Sequence, residues 1–102
     1  MSLENMNTAD TAEDPIERFR QRLTGKSDAT VERYTTNVER WRDWLEQRGK
    51  DMMNVAEDVK ALPEDVEGVT AGDVEDHLDA MTLSGYAENT ANGAWAAIST
   101  FY

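Results

Sequence analysis

The sequence predicts an all-α domain, a small bundle of four helices. Apolar residues recur at three- and four-residue steps through most of the chain. Three of the four periodic runs open on a good capping residue and close at a glycine. No stretch alternates Val, Ile or Thr for long enough to build a sheet.

Residues 1–13 are polar and aperiodic, and are expected to be disordered. Asp14 then precedes Pro15, an N-cap followed by proline at the first helical position. Ile16, Phe19 and Leu23 form one apolar stripe, and Thr24-Gly25 ends this first helix. Ser27 caps a second, long helix, with Asp28 and Glu32 near its positive end. Its stripe is Val31, Tyr34, Val38, Trp41 and Leu45, widened by Trp44, and Arg48 and Gly49 close it. The opposite face carries Glu32, Glu39, Arg40, Asp43 and Glu46.

The connection over residues 50–69 holds Met52, Met53, Val55, Val59 and Leu62, is interrupted by Pro63, and turns acidic from Asp58 to Glu67. A short helical turn is expected around 55–61. Thr70 with Asp73 three residues on is a relative of the capping box and starts the third helix. Val74, Leu78 and Met81 are its buried stripe, and Ser84-Gly85 stops it. From Ala87, a poor N-cap, a fourth helix runs to the last residue, with Ala91, Ala94, Trp95, Ile98 and Phe101 or Tyr102 on one face. Gly93 lies inside it, where glycine costs about 1 kcal/mol relative to alanine; it marks either a close backbone approach or a harmless site. A helix still running at Tyr102 is expected to be part of something longer.

The chain of 102 residues carries 21 acids against 10 bases, a net charge of -11. Such an excess of carboxylates with few lysines resembles the surfaces of proteins from halophiles; an ordinary acidic protein is the alternative. The charge is uneven. Residues 51–102 hold eleven acids and Lys60 alone as a base, whereas residues 15–50 sum to +3. A locally basic half is therefore available to an anionic partner. There is no apolar run long enough to span a membrane, no secretory signal, and no cysteine, which fits a cytoplasmic protein.

Little here points to chemistry. The single histidine, His77, lacks partners for a triad or a zinc site and is expected on a helix face. Asp73, Glu75, Asp76 and Asp79 lack the spacing of a calcium loop and are expected to form a solvated face. No glycine-rich loop cradles a phosphate, so neither metal nor nucleotide cofactor is expected. The helix openings remain. Free amides and a partial positive charge at a helix start suit phosphate oxygens. Lys26, Ser27 and Thr30 surround the start of the second helix, Arg33 and Asn37 follow on one face, and Arg40 lies close to it. Asn89, Thr90 and Asn92 occupy the first turns of the fourth. Ser and Lys near a helix start position a DNA backbone; Arg and Asn further in read base edges. The competing reading is that Ser27 and Thr30 only cap their helix and that Arg33 and Arg40 only pair with acids.

The chain resembles the N-terminal core-binding, or SAM-like, domain of the tyrosine recombinase (phage integrase) family over Pro15 to Tyr102. The resemblance rests on Ser27, Thr30, Tyr34, Val38, Trp41, Trp44-Leu45 and Gly49, then Val69-Thr70, Asp73-Val74 and Leu78. It continues through Ser84-Gly85-Tyr86-Ala87, Asn89-Thr90, Asn92, Ala97-Ile98 and Phe101-Tyr102. It implies a domain that grips one face of a recombination site while a separate catalytic domain grips the other. It further implies that the second and fourth helices meet the major groove, through Ser27, Ala29, Thr30, Arg33 and Asn37 and through Asn89, Thr90, Asn92 and Gly93. The partners implied are double-stranded DNA and other recombinase protomers, with no membrane and no small-molecule substrate. The chain departs from the family at Gly93, Ala94 and Ser99, where arginines are frequent, and in its longer 50–69 connection. The family's catalytic arginines, lysine, histidines and tyrosine have no counterpart, so this part is not expected to cut DNA. The alternative function is a helical protein–protein interaction module without nucleic-acid binding.

Overall fold

Local capping chemistry sets the helix boundaries in the computed structural model, which describes residues 14–102; the disorder expected over 1–13 lies outside them. Asp14 accepts the Ile16 N–H at 3.1 Å and Pro15 opens α1 (Pro15–Arg22). Ser27 accepts the Thr30 N–H at 3.2 Å and opens α2 (Asp28–Gln47), about 30 Å long at 1.5 Å per residue. At its far end Gly49 adopts φ +76, and the Gly49 and Lys50 N–H groups return to the Glu46 and Leu45 carbonyls. This is the Schellman ending that glycine permits. Thr70 and Asp73 exchange both bonds of a capping box at the start of α3 (Ala71–Leu83). α4 (Glu88–Phe101) begins at Ala87 with no side-chain cap, as the residue type implies. The described chain is thus a four-helix, all-α bundle.

The 50–69 connection differs from expectation. The helical turn expected around 55–61 shrinks to a single i→i+3 bond, from the Ala61 N–H to the Asp58 carbonyl at 3.1 Å. Val55 instead makes an isolated parallel bridge to Val69, with the Ala56 N–H on the Val69 carbonyl at 2.9 Å and the Val69 N–H on the Asn54 carbonyl at 2.8 Å. Gly68 permits this approach, because a Cβ there would lie 2.6 Å from the Ala56 nitrogen. Pro63 does not merely interrupt; with its fixed φ it starts a short 3-10 turn, η1 (Pro63–Asp65).

The core collects much of the predicted stripes: Ile16 and Phe19 of α1 with Leu23 just past its end, Val38, Trp41 and Leu45 of α2, Val74 of α3, and Ile98 and Phe101 of α4; it adds Ala97, which the expected α4 stripe did not contain. Full burial of side chains such as Phe19 or Leu45 contributes roughly 1.5–3 kcal/mol each. Phe19 and Phe101 meet edge to face at 5.5 Å, joining α1 to α4. Trp41 is wholly buried, and its Nε1–H donates to the Tyr102 hydroxyl at 2.9 Å, which donates onward to the Met52 carbonyl at 2.7 Å. Burial, chiefly, pushes the Tyr102 phenol up to about 12, so it remains a donor at all working pH. On α4 the expected stripe is rotated. Trp95 is 54% exposed, and Ala97 takes its place inside. Small Ala94 and Ala97 let α4 lie close against α2, so the buried face centres on them.

Gly93 sits in this close pairing, yet an added Cβ would meet its nearest atom, Asn37 Nδ2, at an ordinary 3.9 Å. Gly93→Ala is therefore expected to stabilise the fold by about 0.5–1 kcal/mol, read as a higher urea midpoint. A lower midpoint would show that the approach is tighter than this spacing.

Candidate nucleic-acid interface

Arg33, Thr36, Asn37 and Arg40 follow at three- and four-residue steps and so share one face of α2. That face and the opening turns of α4 enclose a groove of about 650 Å³, whose α4 wall is Asn89, Thr90 and Gly93. Five of the residues singled out from sequence therefore meet at one concavity: Arg33, Asn37, Arg40, Asn89 and Thr90. Asn92 does not line it. Lys26, Ser27 and Thr30 lie toward the start of α2, outside its walls, although Thr30 continues the face of Arg33 by helical spacing.

The two arginines are not consumed by neighbouring acids. Neither Arg33 nor Arg40 has a carboxylate within ion-pair distance among the described residues. Among the described residues, Glu32 is the only acid lining the groove, and Arg20 holds it at 3.1 Å. Arg40 is aimed rather than paired. Its Nη1–H donates to Asn37 Oδ1 at 3.3 Å, and its guanidinium lies 5.2 Å from the Tyr86 ring centre. Restraint by an amide and an aromatic face leaves the guanidinium's remaining donors for an anion.

Asn37 departs from its expected role. It is 4% exposed, and its Nδ2–H donates to the Arg33 carbonyl at 3.0 Å. With both amide ends engaged inside α2, it positions Arg40 and does not reach a base edge. Ser27 and Thr30 likewise spend their hydroxyls on each other, Oγ to Oγ1 at 2.9 Å, beside the cap bond. For these two the capping reading stands. Lys26 and Asn92 are exposed. At α4 the first backbone bonds run from Thr90 and Ala91 back to Ala87, so the amides of Glu88 and Asn89 stay available at the groove's edge.

Two polar residues outside the groove carry more structure than sequence reasoning gave them. Asp73 is no part of a solvated face: it is fully buried, with Lys50 Nζ at 2.6 Å and Arg48 Nε at 3.6 Å. Lys50 also donates to the Pro63 and Gly68 carbonyls, each at 3.0 Å, which staples the 50–69 connection onto α3. The Thr70-x-x-Asp73 pattern marked the cap, but nothing local marked Lys50 as partner. His77 is 5% exposed, between the Trp41 and Trp44 rings at 5.4 and 5.5 Å. Neither ring nitrogen has a hydrogen-bond partner among the described residues. Burial first, and the Arg40 charge second, push its pKa down to about 4, so it is neutral and serves as packing. Tyr86 carries the Arg40 guanidinium.

No family model, curated protein or solved structure matches the chain. Among the described residues, no helix is long and apolar enough to cross a membrane.

Proposed function

We propose that this domain binds double-stranded DNA through the α2–α4 groove, as the non-catalytic core-binding part of a site-specific tyrosine recombinase. One observation carries the reading. In a chain of net charge -11, two arginines with no ion pair among the described residues converge with an uncapped helix N-terminus on a single concavity. Excess carboxylate elsewhere is a weak objection in concentrated salt. The Debye length is about 3 Å at 1 M, so distant acids scarcely act on a phosphate in the groove. The same screening weakens phosphate attraction, which leaves close contacts from Arg33 and Arg40 to supply affinity.

The alternative, a helical module that binds protein alone, draws support from exposed Leu83 and Trp95. A duplex titration followed by fluorescence anisotropy separates the two. Arg33→Ala and Arg40→Ala are each expected to weaken binding by about 1–3 kcal/mol, or to lower the salt slope by about one. Affinity unchanged in both variants would remove the groove from the interface.

A further inference from the structure

A second groove, of about 730 Å³, lies between α1 and the far end of α4 and shares no lining residue with the first. Arg18 and Arg22 rise on one side, and Met53, Val55 and Tyr102 form the other. Among the described residues, no acid lines it. Arg22 is tethered to the Phe101 carbonyl at 3.0 Å, whereas Arg18 has no side-chain hydrogen bond or ion pair among the described residues. Met53, Val55 and Tyr102 are all exposed, an uncommon cluster of apolar surface beside two cations.

The backbone supplies a separate indication. The bridge to Val69 uses the Ala56 N–H and the Asn54 carbonyl, so the N–H and C=O of Val55 point away from Val69. Neither has a hydrogen-bond partner among the described residues. Val55 therefore offers one open rung of a strand edge, alongside apolar side chains and two guanidinium groups.

We propose that this groove receives an acidic segment with aliphatic side chains from a partner protein, laid extended along the edge at Val55. Main-chain bonds at Val55 fix direction, aliphatic side chains cover Met53 and Tyr102, and carboxylates meet Arg18 and Arg22. Charge complementarity selects an acidic partner over a basic one.

The test uses the full chain, ¹⁵N-labelled, with a capped Glu-Val-Asp-Val-Glu peptide as probe. The Val55 amide resonance is expected to move on titration, while the analogue with lysine in place of each acid leaves it unmoved. Arg18→Glu, at a side chain that makes no hydrogen bond or ion pair among the described residues, is expected to weaken binding about tenfold, with its circular dichroism unchanged. A probe N-methylated at alternate residues is expected to lose the Val55 shift. Arg33→Ala is expected to bind the peptide as wild type does. No movement at Val55, or equal affinity in Arg18→Glu, would overturn the proposal. So would self-association of the chain abolished by Arg18→Glu, since that would seat a second copy in the groove.

Discussion

Asp73→Ala is expected to cost about 3–5 kcal/mol, among the large single losses in this fold. The residue is fully buried, and its Oδ2 receives Lys50 Nζ at 2.6 Å and the Thr70 N–H at 3.0 Å. Removing the carboxylate strands the Lys50 ammonium, itself nearly buried, against two carbonyls and no counter-charge. It also removes half of the capping box that starts α3. Small domains have about 5–15 kcal/mol in hand, so this loss removes much of it. Lys50→Met is expected to cost less, because Arg48 and Thr70 still face Asp73. Pairing Lys50→Met with Asp73→Leu should recover part of the deficit, since no buried charge then stands alone. Urea denaturation of the four proteins measures all of this. A wild-type midpoint for Asp73→Ala would show that the pair does not hold the 50–69 connection.

The second large effect is on pH. His77 has an ordinary unfolded pKa near 6.5 and is held at about 4 in the folded chain. The unfolded state therefore binds the proton first as pH falls. The stability tied to neutral His77 is whole above about 6.5 and is lost progressively down to about 4. At 1.36 kcal/mol per pH unit the swing is on the order of 3 kcal/mol. Carboxylates titrate across the same range, so the informative quantity is the difference between wild type and His77→Leu, which keeps an apolar group between the tryptophans. Wild type is expected to lose stability faster than His77→Leu between those limits. Parallel curves would place the imidazole in contact with water.

What was legible in the sequence was local. Asp14, Ser27 and Thr70 cap the helices their types announced, and Gly49 and Gly85 lie just beyond the helix ends with positive φ. The first stripe and Val38, Trp41 and Leu45 of α2 are in the core as their spacing predicts, with Val31, Tyr34 and Trp44 partly buried at its edge. What failed depended on partners distant in sequence. Asp73 read as one of four acids on a wet face until Lys50, 23 residues earlier, is placed against it. His77 read as a face residue because the Trp41–Trp44 slot that encloses it is built by another helix. Trp95 read as core because a large aromatic at helical spacing usually is; the two alanines that bring α4 against α2 turned it outward. In the candidate site, helical spacing brought Arg33, Asn37 and Arg40 together correctly. It could not show that Asn37 is spent inside its own helix, because that depends on burial and rotamer.

The acidic composition and the DNA reading are compatible because the charge is segregated. Carboxylates crowd the half after residue 50, whereas Glu32, the one acid among the described residues lining the groove, is already bound to Arg20. On the proposed reading, affinity is expected to come from few contacts at short range and to depend on Arg40, which Asn37 and Tyr86 restrain.

Titrating the ¹⁵N-labelled chain with duplex DNA in concentrated KCl, and recording which amides shift, tests this most directly. The shifts are expected to cluster on Arg33, Thr36, Arg40, Asn89 and Thr90, and to collapse in Arg33→Ala. Shifts confined to the acidic 50–69 connection, or none at any duplex concentration, would contradict a DNA-binding groove between α2 and α4.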